Sequence, residues 1–258
     1  MTASQFISAL PVDIFIAFAV FCRVGGFFMT APALGDFTLS PRIRLAAALA
    51  VSAAMAPVAA KAYPPWASDG GVTAMSLIVF GEIFAGAFLG LTARIFMSAL
   101  NVAGQIIAFQ MGLALAQIFD PTQELQGAIV GGFLAILGTT MIFATDLHHV
   151  LLAALADSYF LLTPGALPEI GDMSDVLVTT LSEAFSLGLR LSAPFVLFGL
   201  VFYIGAGVLN RLMPQAQVFF MLMPANLFLG LMLLMLMTGL LMSTFLGAFE
   251  SHLAQFLR

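Results

Sequence analysis

The sequence predicts an all-α integral membrane protein with about six long hydrophobic helices or hairpins and one internal re-entrant segment. Hydrophobic residues make up 62% of the 258 residues and charged residues only 8%, whereas an average soluble domain has about 25% charged residues. Several apolar runs reach the roughly 20 residues that a helix needs to cross a bilayer. The formal net charge of −5 leaves no basic surface for nucleic acid, and the single cysteine, Cys22, cannot form an intrachain disulfide.

Six apolar runs account for the predicted membrane helices. The first follows only a few uncharged residues and lacks the basic leading region of a signal peptide, so we expect it to be a retained span. The last two are long enough to tilt or kink and form a helical hairpin, whose turn contains Arg211, Pro214 and Gln215. In chain order, the six runs are residues 7–33, 45–60, 72–97, 127–145, 176–209 and 218–249.

A seventh apolar stretch, residues 98–119, is predicted to behave differently because it carries four carboxamides and is followed by Pro121. The residue before a proline is pushed away from helical geometry. Irregular backbone is tolerated at membrane depth only where protein surrounds it or where it lines a cavity. We therefore predict a helix–break–loop element that faces the interior of an assembly; the alternative is a seventh helix buried in an ordinary bundle. The candidate interior-facing residues are Gln105, Phe109, Gln110, Met111, Gly112, Gln117, Phe119, Asp120 and Pro121.

Arg23 and Glu82 are charged residues inside predicted spans, where an unpaired charge is costly. An ion pair that holds helices together is the simpler interpretation of Arg23, with Glu82 or Asp13 as its partner; a charge that lines a transport path is the other. Gly86 and Gly90 follow Glu82 at a spacing that lets a second helix approach closely. A proton carrier is the other interpretation of Glu82.

Asp146, His148 and His149 are of residue types that bind metal ions, and the spacing of Asp146 and His149 lets them share a helical face. Two or three ligands at the end of a span do not complete a site without others from elsewhere, so the sequence favours helix capping and hydration there. The sequence contains neither a nucleophile elbow nor an HExxH pattern. We therefore expect a protein without catalytic residues, metal or cofactor.

Several short segments form a combination that is more specific than any one of them. They are 23–32 (RVGGFFMTAP) with 41–44 (PRIR), Gly81-Glu82 with Gly86 and Gly90, 110–112 (QMG) through Asp120-Pro121, 157–159 (DSY) and 213–215 (MPQ). In order and spacing, over nearly the whole chain, these segments resemble the FliR/SctT family of type III secretion export-gate proteins.

The resemblance implies a non-enzymatic, pore-forming subunit of the flagellar export gate, in the bacterial inner (cytoplasmic) membrane at the flagellar basal body. It implies assembly with several copies of FliP and FliQ, and contacts with FlhB and FlhA, to pass unfolded flagellar substrates across the membrane. In such gates residues 1–178, including a plug-like segment at 98–126, are similar in fold to FliP, and residues 179–258 to FliQ. Residues 105–121 then match the loop that plugs the closed channel.

Three other interpretations stay open. A secondary transporter would use the intramembrane charges Arg23, Glu82 and Asp146, but transporters usually have internal repeats and paired broken helices, and the sequence predicts one broken element. An injectisome export gate shares the family's features, although the flagellar type is closer overall. A passive scaffold that holds other gate subunits without lining a pore fits the composition equally well.

Overall fold

The computed structural model is all-α and describes residues 12–32, 34–35, 40–63, 71–113, 126–166, 170–213 and 218–257. Within these residues the chain forms seven α-helices, and the short 3-10 turn Ala60–Ala62 follows the second of them. The helices are α1 (Val12–Thr30), α2 (Pro41–Ala59), α3 (Gly71–Gln110), α4 (Gln126–Ala144), α5 (Leu147–Leu161), α6 (Ile170–Leu212) and α7 (Val218–Ala254).

Four helical stretches among the described residues are long and apolar enough to cross a membrane: Pro41–Ala62, Gly71–Gln110, Gly171–Leu212 and Met221–Ala254. A fifth span results if Ile129–Ala144 and Leu147–Leu161, which meet at a bend of 78°, count as one broken span. Helix α1 adds a shorter apolar stretch, Ile14–Thr30. These helices confirm the predicted all-α membrane protein, with one bent pair of the kind a re-entrant segment forms.

The boundary that the sequence predicts between residues 72–97 and 98–119 is wrong. The structure has one continuous helix of 40 residues, Gly71–Gln110, in its place. The carboxamides do not interrupt it because side-chain polar groups leave the backbone hydrogen bonds of a helix intact. Residues 114–121, which hold the rest of the predicted break and loop, lie outside the described residues.

Helix α5 is not among the helices predicted from the sequence. Its 15 residues, Leu147–Leu161, are too few for a membrane span, and the polar segment before it suggested the end of a span. The chain instead turns at Asp146, the one described non-glycine residue with a positive φ, 59°, and begins a new helix at once.

Helix α2 shows how local sequence sets a helix start. Ser40 is extended, and its side chain accepts a hydrogen bond from the backbone N–H of Ile43 at 3.4 Å. Pro41 takes the first helical position, where its missing N–H costs nothing. Ser40 therefore caps α2, and Pro41 begins it.

The chain divides into two compact units, each with its own core. In the first unit α1 packs against α2, and Phe27 and Phe28 are buried with their rings edge to face. In the second unit Leu100, Phe195 and Phe245 are fully buried. The first unit consists of Met1–Ile95, Asp146–Thr180 and Glu250–Arg258, and the second of Phe96–Thr145 and Leu181–Phe249.

Candidate functional site

The guanidinium of Arg23 is the centre of a buried polar cluster in the first unit. Its Nε donates to Glu82 Oε2 at 2.6 Å and its Nη2 to Glu82 Oε1 at 2.9 Å. Nη1 donates to the Ser158 hydroxyl at 3.0 Å, and Nη2 also donates to the Leu162 carbonyl at 2.8 Å. The side chains of Arg23 and Glu82 are each 1% exposed. One cation thus joins α1, α3 and the end of α5; we call these four residues, with Tyr159, the Arg23 cluster.

Arg23 also satisfies the end of α5. The last carbonyls of a helix lack intrahelical donors, and the carbonyl of Leu162, the residue after the helix, receives its donor from Arg23. The Ser158 hydroxyl donates to the Leu155 carbonyl at 2.6 Å while it accepts from Arg23. A cation at the negative end of a helix dipole is favourable, so the position of Arg23 stabilises α5 as well as the ion pair.

Glycines bring α1 and α3 close enough for this ion pair. A Cβ atom at Gly86 would overlap the carbonyl oxygen of Arg23, and one at Gly90 would overlap Oγ1 of Thr30. A Cβ atom at Gly26, on the α1 side, would lie 2.5 Å from the carbonyl oxygen of Ile83. The two helix backbones therefore touch along one side, and Glu82 lies one turn before the closest point.

Two tyrosines complete the surroundings of the ion pair. The Tyr159 ring centroid lies 4.0 Å from Cζ of Arg23, a cation–π contact, and the ring centroids of Tyr63 and Tyr159 are 6.3 Å apart. Both residues are buried. Burial and the nearby Glu82 carboxylate raise the pKa of the Tyr63 hydroxyl, so this group stays neutral and adds no charge to the cluster.

A cavity of about 140 Å³ lies beside the cluster, between α3 and residues 162–166. The charged groups among the described residues that line it are Arg23 and Glu82, which already bind each other. The side chain of Asp146, the third charge of the transporter interpretation, is 77% exposed. Because two of the three charges are paired and buried and the third is open to solvent, they do not form one ion-binding site.

The last turns of α3, in the second unit, have an exposed face and a buried face. Asn101, Gln105 and Phe109 are spaced by four residues and all are exposed, Phe109 at 64%. Met111 is 1% exposed, and Gly112 is also buried. The structure therefore separates the predicted interior-facing residues: Gln105 and Phe109 lie on the exposed face, whereas Met111 and Gly112 lie inside the second unit.

Asn226 of α7 holds the end of α3 in place. Its Nδ2 donates to the backbone carbonyl of Gln110 at 3.2 Å, a group that has no donor within the helix. Met111 packs against Gly230 of α7: a Cβ atom at Gly230 would lie 2.5 Å from Cγ of Met111. Gly112 then takes a φ of 77°, the left-handed conformation that glycine adopts at low cost after a helix. The chain thus leaves α3 through a glycine turn fixed to α7.

Four residues of these sites have no single-residue role predicted from the sequence: Asn226, Ser158, Tyr63 and Tyr159. Asn226 had a signal, because an amide inside the apolar run 218–249 needs a partner. Ser158 and Tyr159 had none beyond the segment 157–159, and Tyr63 had none. Only the folded chain brings Ser158 and Tyr159 to Arg23, and Tyr63 to Tyr159.

The remaining predicted residues fall partly inside and partly outside the described chain. Arg211 lies inside it, exposed in the last turn of α6. Of the two carboxylates considered for Arg23, Glu82 is the one in contact, and the side chain of Asp13 is not described. The residues outside are Gln117, Phe119, Asp120, Pro121, Pro214 and Gln215.

The capping role predicted for Asp146 is wrong. Asp146 precedes α5, but its side chain makes no capping hydrogen bond. Its backbone carbonyl accepts from the His149 N–H at 2.9 Å, while Oδ1 lies 3.8 Å from His149 Nδ1. Asp146 has a left-handed backbone, makes no side-chain bond to the free N–H groups at the start of the helix, and has its Oδ1 near the His149 imidazole.

Comparison with known proteins gives a consistent result over most of the chain. The sequence pattern of the family described as "Bacterial export proteins, family 1" matches residues 14–252. The flagellar biosynthetic protein FliR of Caulobacter vibrioides is 37% identical over 228 residues, which cover 88% of this chain and 90% of that protein. FliR of Escherichia coli is 28% identical over 235 residues, 91% and 87% of the two chains. FliR of Aquifex aeolicus is 28% identical over 262 residues, 99% and 95%.

Proposed function

The chain belongs to the bacterial export proteins, family 1, and from this premise we propose that it is a structural, pore-forming subunit of the flagellar type III protein export gate. Family membership confirms the resemblance read from the sequence segments. It makes the chain a non-enzymatic membrane component of the flagellar export apparatus. The four helices of the described chain that are long and apolar enough to cross a bilayer agree with a place in the inner membrane.

In the proposed gate the chain assembles with FliP and FliQ, contacts FlhB and FlhA, and passes unfolded flagellar substrates across the membrane. Residues 1–178 form a FliP-like part and residues 179–258 a FliQ-like hairpin. Large apolar side chains exposed along α6 and α7 support extensive cover by lipid or neighbouring subunits; among them are Leu197, Val201, Met235 and Leu236. The relatives reported above are flagellar proteins, which favours the flagellar over the injectisome form.

The observation that carries the pore assignment is the exposed face of α3 formed by Asn101, Gln105 and Phe109. A carboxamide in contact with hydrocarbon loses its hydrogen bonds to water and gains none. Two carboxamides spaced by one turn therefore suit contact with water or protein rather than lipid. A channel wall that meets water and a passing unfolded chain offers both kinds of contact.

The same segment closes the channel in this proposal, with residues 105–121 as the plug. Phe109 supplies a large apolar surface that excludes water when it packs against neighbouring subunits. The base of the plug is fixed, because Asn226 donates to the Gln110 carbonyl at the end of α3 and Met111 is buried against α7. Gly112 marks the point at which the chain turns away from this base.

Site-specific photo-crosslinking in cells tests the proposal. A photoreactive phenylalanine analogue is introduced at Gln105, at Phe109 or at the buried control position Met111, with an export substrate stalled in transit. We expect probes at Gln105 and Phe109 to crosslink to the stalled substrate and, without substrate, to neighbouring gate subunits. The probe at Met111 reacts within its own chain, because that side chain is 1% exposed.

Two outcomes would overturn the pore assignment. In one, probes at Gln105 and Phe109 label only lipid, which makes the exposed face of α3 a membrane-facing surface. In the other, they label neighbouring subunits but never a stalled substrate, which supports the passive scaffold. Before crosslinks are compared, the amount of each variant chain that is incorporated into the assembled gate is measured in purified membranes.

A further inference from the structure

The turn before α5 gathers three potential metal ligands on one small surface. One ligand atom from each of Asp146, His148 and His149 lies within 4.8 Å of the other two. The ring centroids of His148 and His149 are 4.1 Å apart with an interplanar angle of 35°, so the two imidazole rings are close neighbours that are tilted relative to each other. These residues are not among the hydrogen-bond partners given above for Arg23 and for the end of α3.

Helix capping does not account for this arrangement, since the Asp146 carboxylate makes no capping bond. It lies instead 3.8 Å from His149 Nδ1. The free N–H groups at the start of a helix carry partial positive charge, and the Asp146 carboxylate supplies the negative charge that a bound cation needs there.

We propose that Asp146, His148 and His149 bind one divalent transition-metal ion of the Zn²⁺ class. Two imidazole nitrogens and one carboxylate oxygen form a donor set that suits Zn²⁺. Ligand atoms lie about 2.0–2.2 Å from a bound Zn²⁺, so the three groups must draw together by roughly 1 Å from their present positions. The side chains of Asp146 and His149 are 77% and 70% exposed and are free to do so. Water supplies the fourth ligand, as in other three-ligand zinc sites.

Metal titration of the full-length chain tests the site. The protein carries a purification tag without histidine and is held in detergent, and Co²⁺ serves as a spectroscopic probe because its visible absorption reports four-coordinate binding. Zn²⁺ is then added to displace Co²⁺ and to count bound ions per chain. The variants are Asp146→Asn, His148→Gln and His149→Gln.

Asp172→Asn is the matched control, because Asp172 is an exposed carboxylate in the first turn of another helix, α6. We expect one Zn²⁺ per wild-type chain and per control chain. Each of the three site variants should bind at least about tenfold more weakly, since loss of even an outer partner of a metal ligand costs about 10–100-fold in affinity.

The proposal fails if the wild-type chain binds no stoichiometric Zn²⁺, or if the control loses as much affinity as the site variants. It also fails if Asp146→Asn binds as tightly as the wild type, because the ion would then be held by histidines alone. Helix content and elution from a sizing column confirm that each variant is folded, so that weak binding is not a loss of structure.

Discussion

The Arg23 cluster and the end of α3 both place polar side chains in an apolar protein, yet in opposite settings. Arg23 makes four hydrogen bonds, and it and Glu82 are almost fully buried. Gln105 is exposed on a helix face together with Phe109. Glu82 and Gln105 lie on the same apolar helix, α3, so the composition of the helix does not distinguish the two settings.

The difference teaches that burial, rather than residue type, separates polar groups that hold the fold from those available for contact. A paired buried charge has its field cancelled by its partner and offers nothing to a ligand. A polar group on an exposed helix face in a membrane protein still needs water or protein beside it. Three comparisons of variants test this distinction.

The largest effect is expected from Arg23→Ala, which leaves the Glu82 carboxylate buried without its cation. Breaking a buried ion pair by removing one partner costs about 3–5 kcal/mol. We expect a correspondingly lower thermal unfolding temperature for the full-length chain in detergent. The double variant Arg23→Leu with Glu82→Leu should recover part of the loss, because replacing both members of a buried pair by apolar groups is often close to neutral. The recovery stays incomplete because the Leu162 carbonyl loses its donor. A double variant less stable than Arg23→Ala would show that the cluster does more than cancel its own charges.

The next effect separates the two faces of α3. Met111→Ala should destabilise the chain by about 2–5 kcal/mol, the usual cost of truncating a buried side chain, because Met111 is 1% exposed. Phe109→Ala should change stability by no more than about 0.5 kcal/mol, as exposed substitutions do. In cells, Phe109→Ala should nevertheless increase ion leakage through the assembled gate. Equal stability losses for the two variants would mean that both side chains belong to the core.

The smallest effect concerns two glycines five residues apart on α3. Gly86→Ala should destabilise the chain by about 1–3 kcal/mol, as overpacking does, because its Cβ would overlap the Arg23 carbonyl. Gly81→Ala should instead stabilise it by about 0.5–1 kcal/mol, since nothing lies within 4 Å of a Cβ there. Chemical denaturation of both variants measures the difference. A change in stability of the same sign for both variants would contradict the close approach of α1 and α3.

The sequence predicted much of the helical content because apolar runs long enough for a bilayer have few other structures available. It predicted the end of a span at residue 97, however, because the carboxamides after that point indicate a segment of different character, whereas α3 continues to Gln110. Helix α5 was missed because 15 residues give too weak a signal. The glycines Gly86 and Gly90 were identified from their spacing alone, since only small residues let two helices approach closely.

By itself, the sequence determined the membrane class, the long helices and the family, because hydropathy and ordered short motifs are properties of the chain alone. Only the tertiary structure decided which charges are paired, which side of α3 is exposed and where Asp146 directs its carboxylate. These features depend on groups far apart in sequence: Arg23 and Glu82 are separated by 59 residues, and Asn226 and Gln110 by 116. No local sequence pattern specifies a contact between residues so far apart along the chain. The packing of one helix against another fixes these contacts.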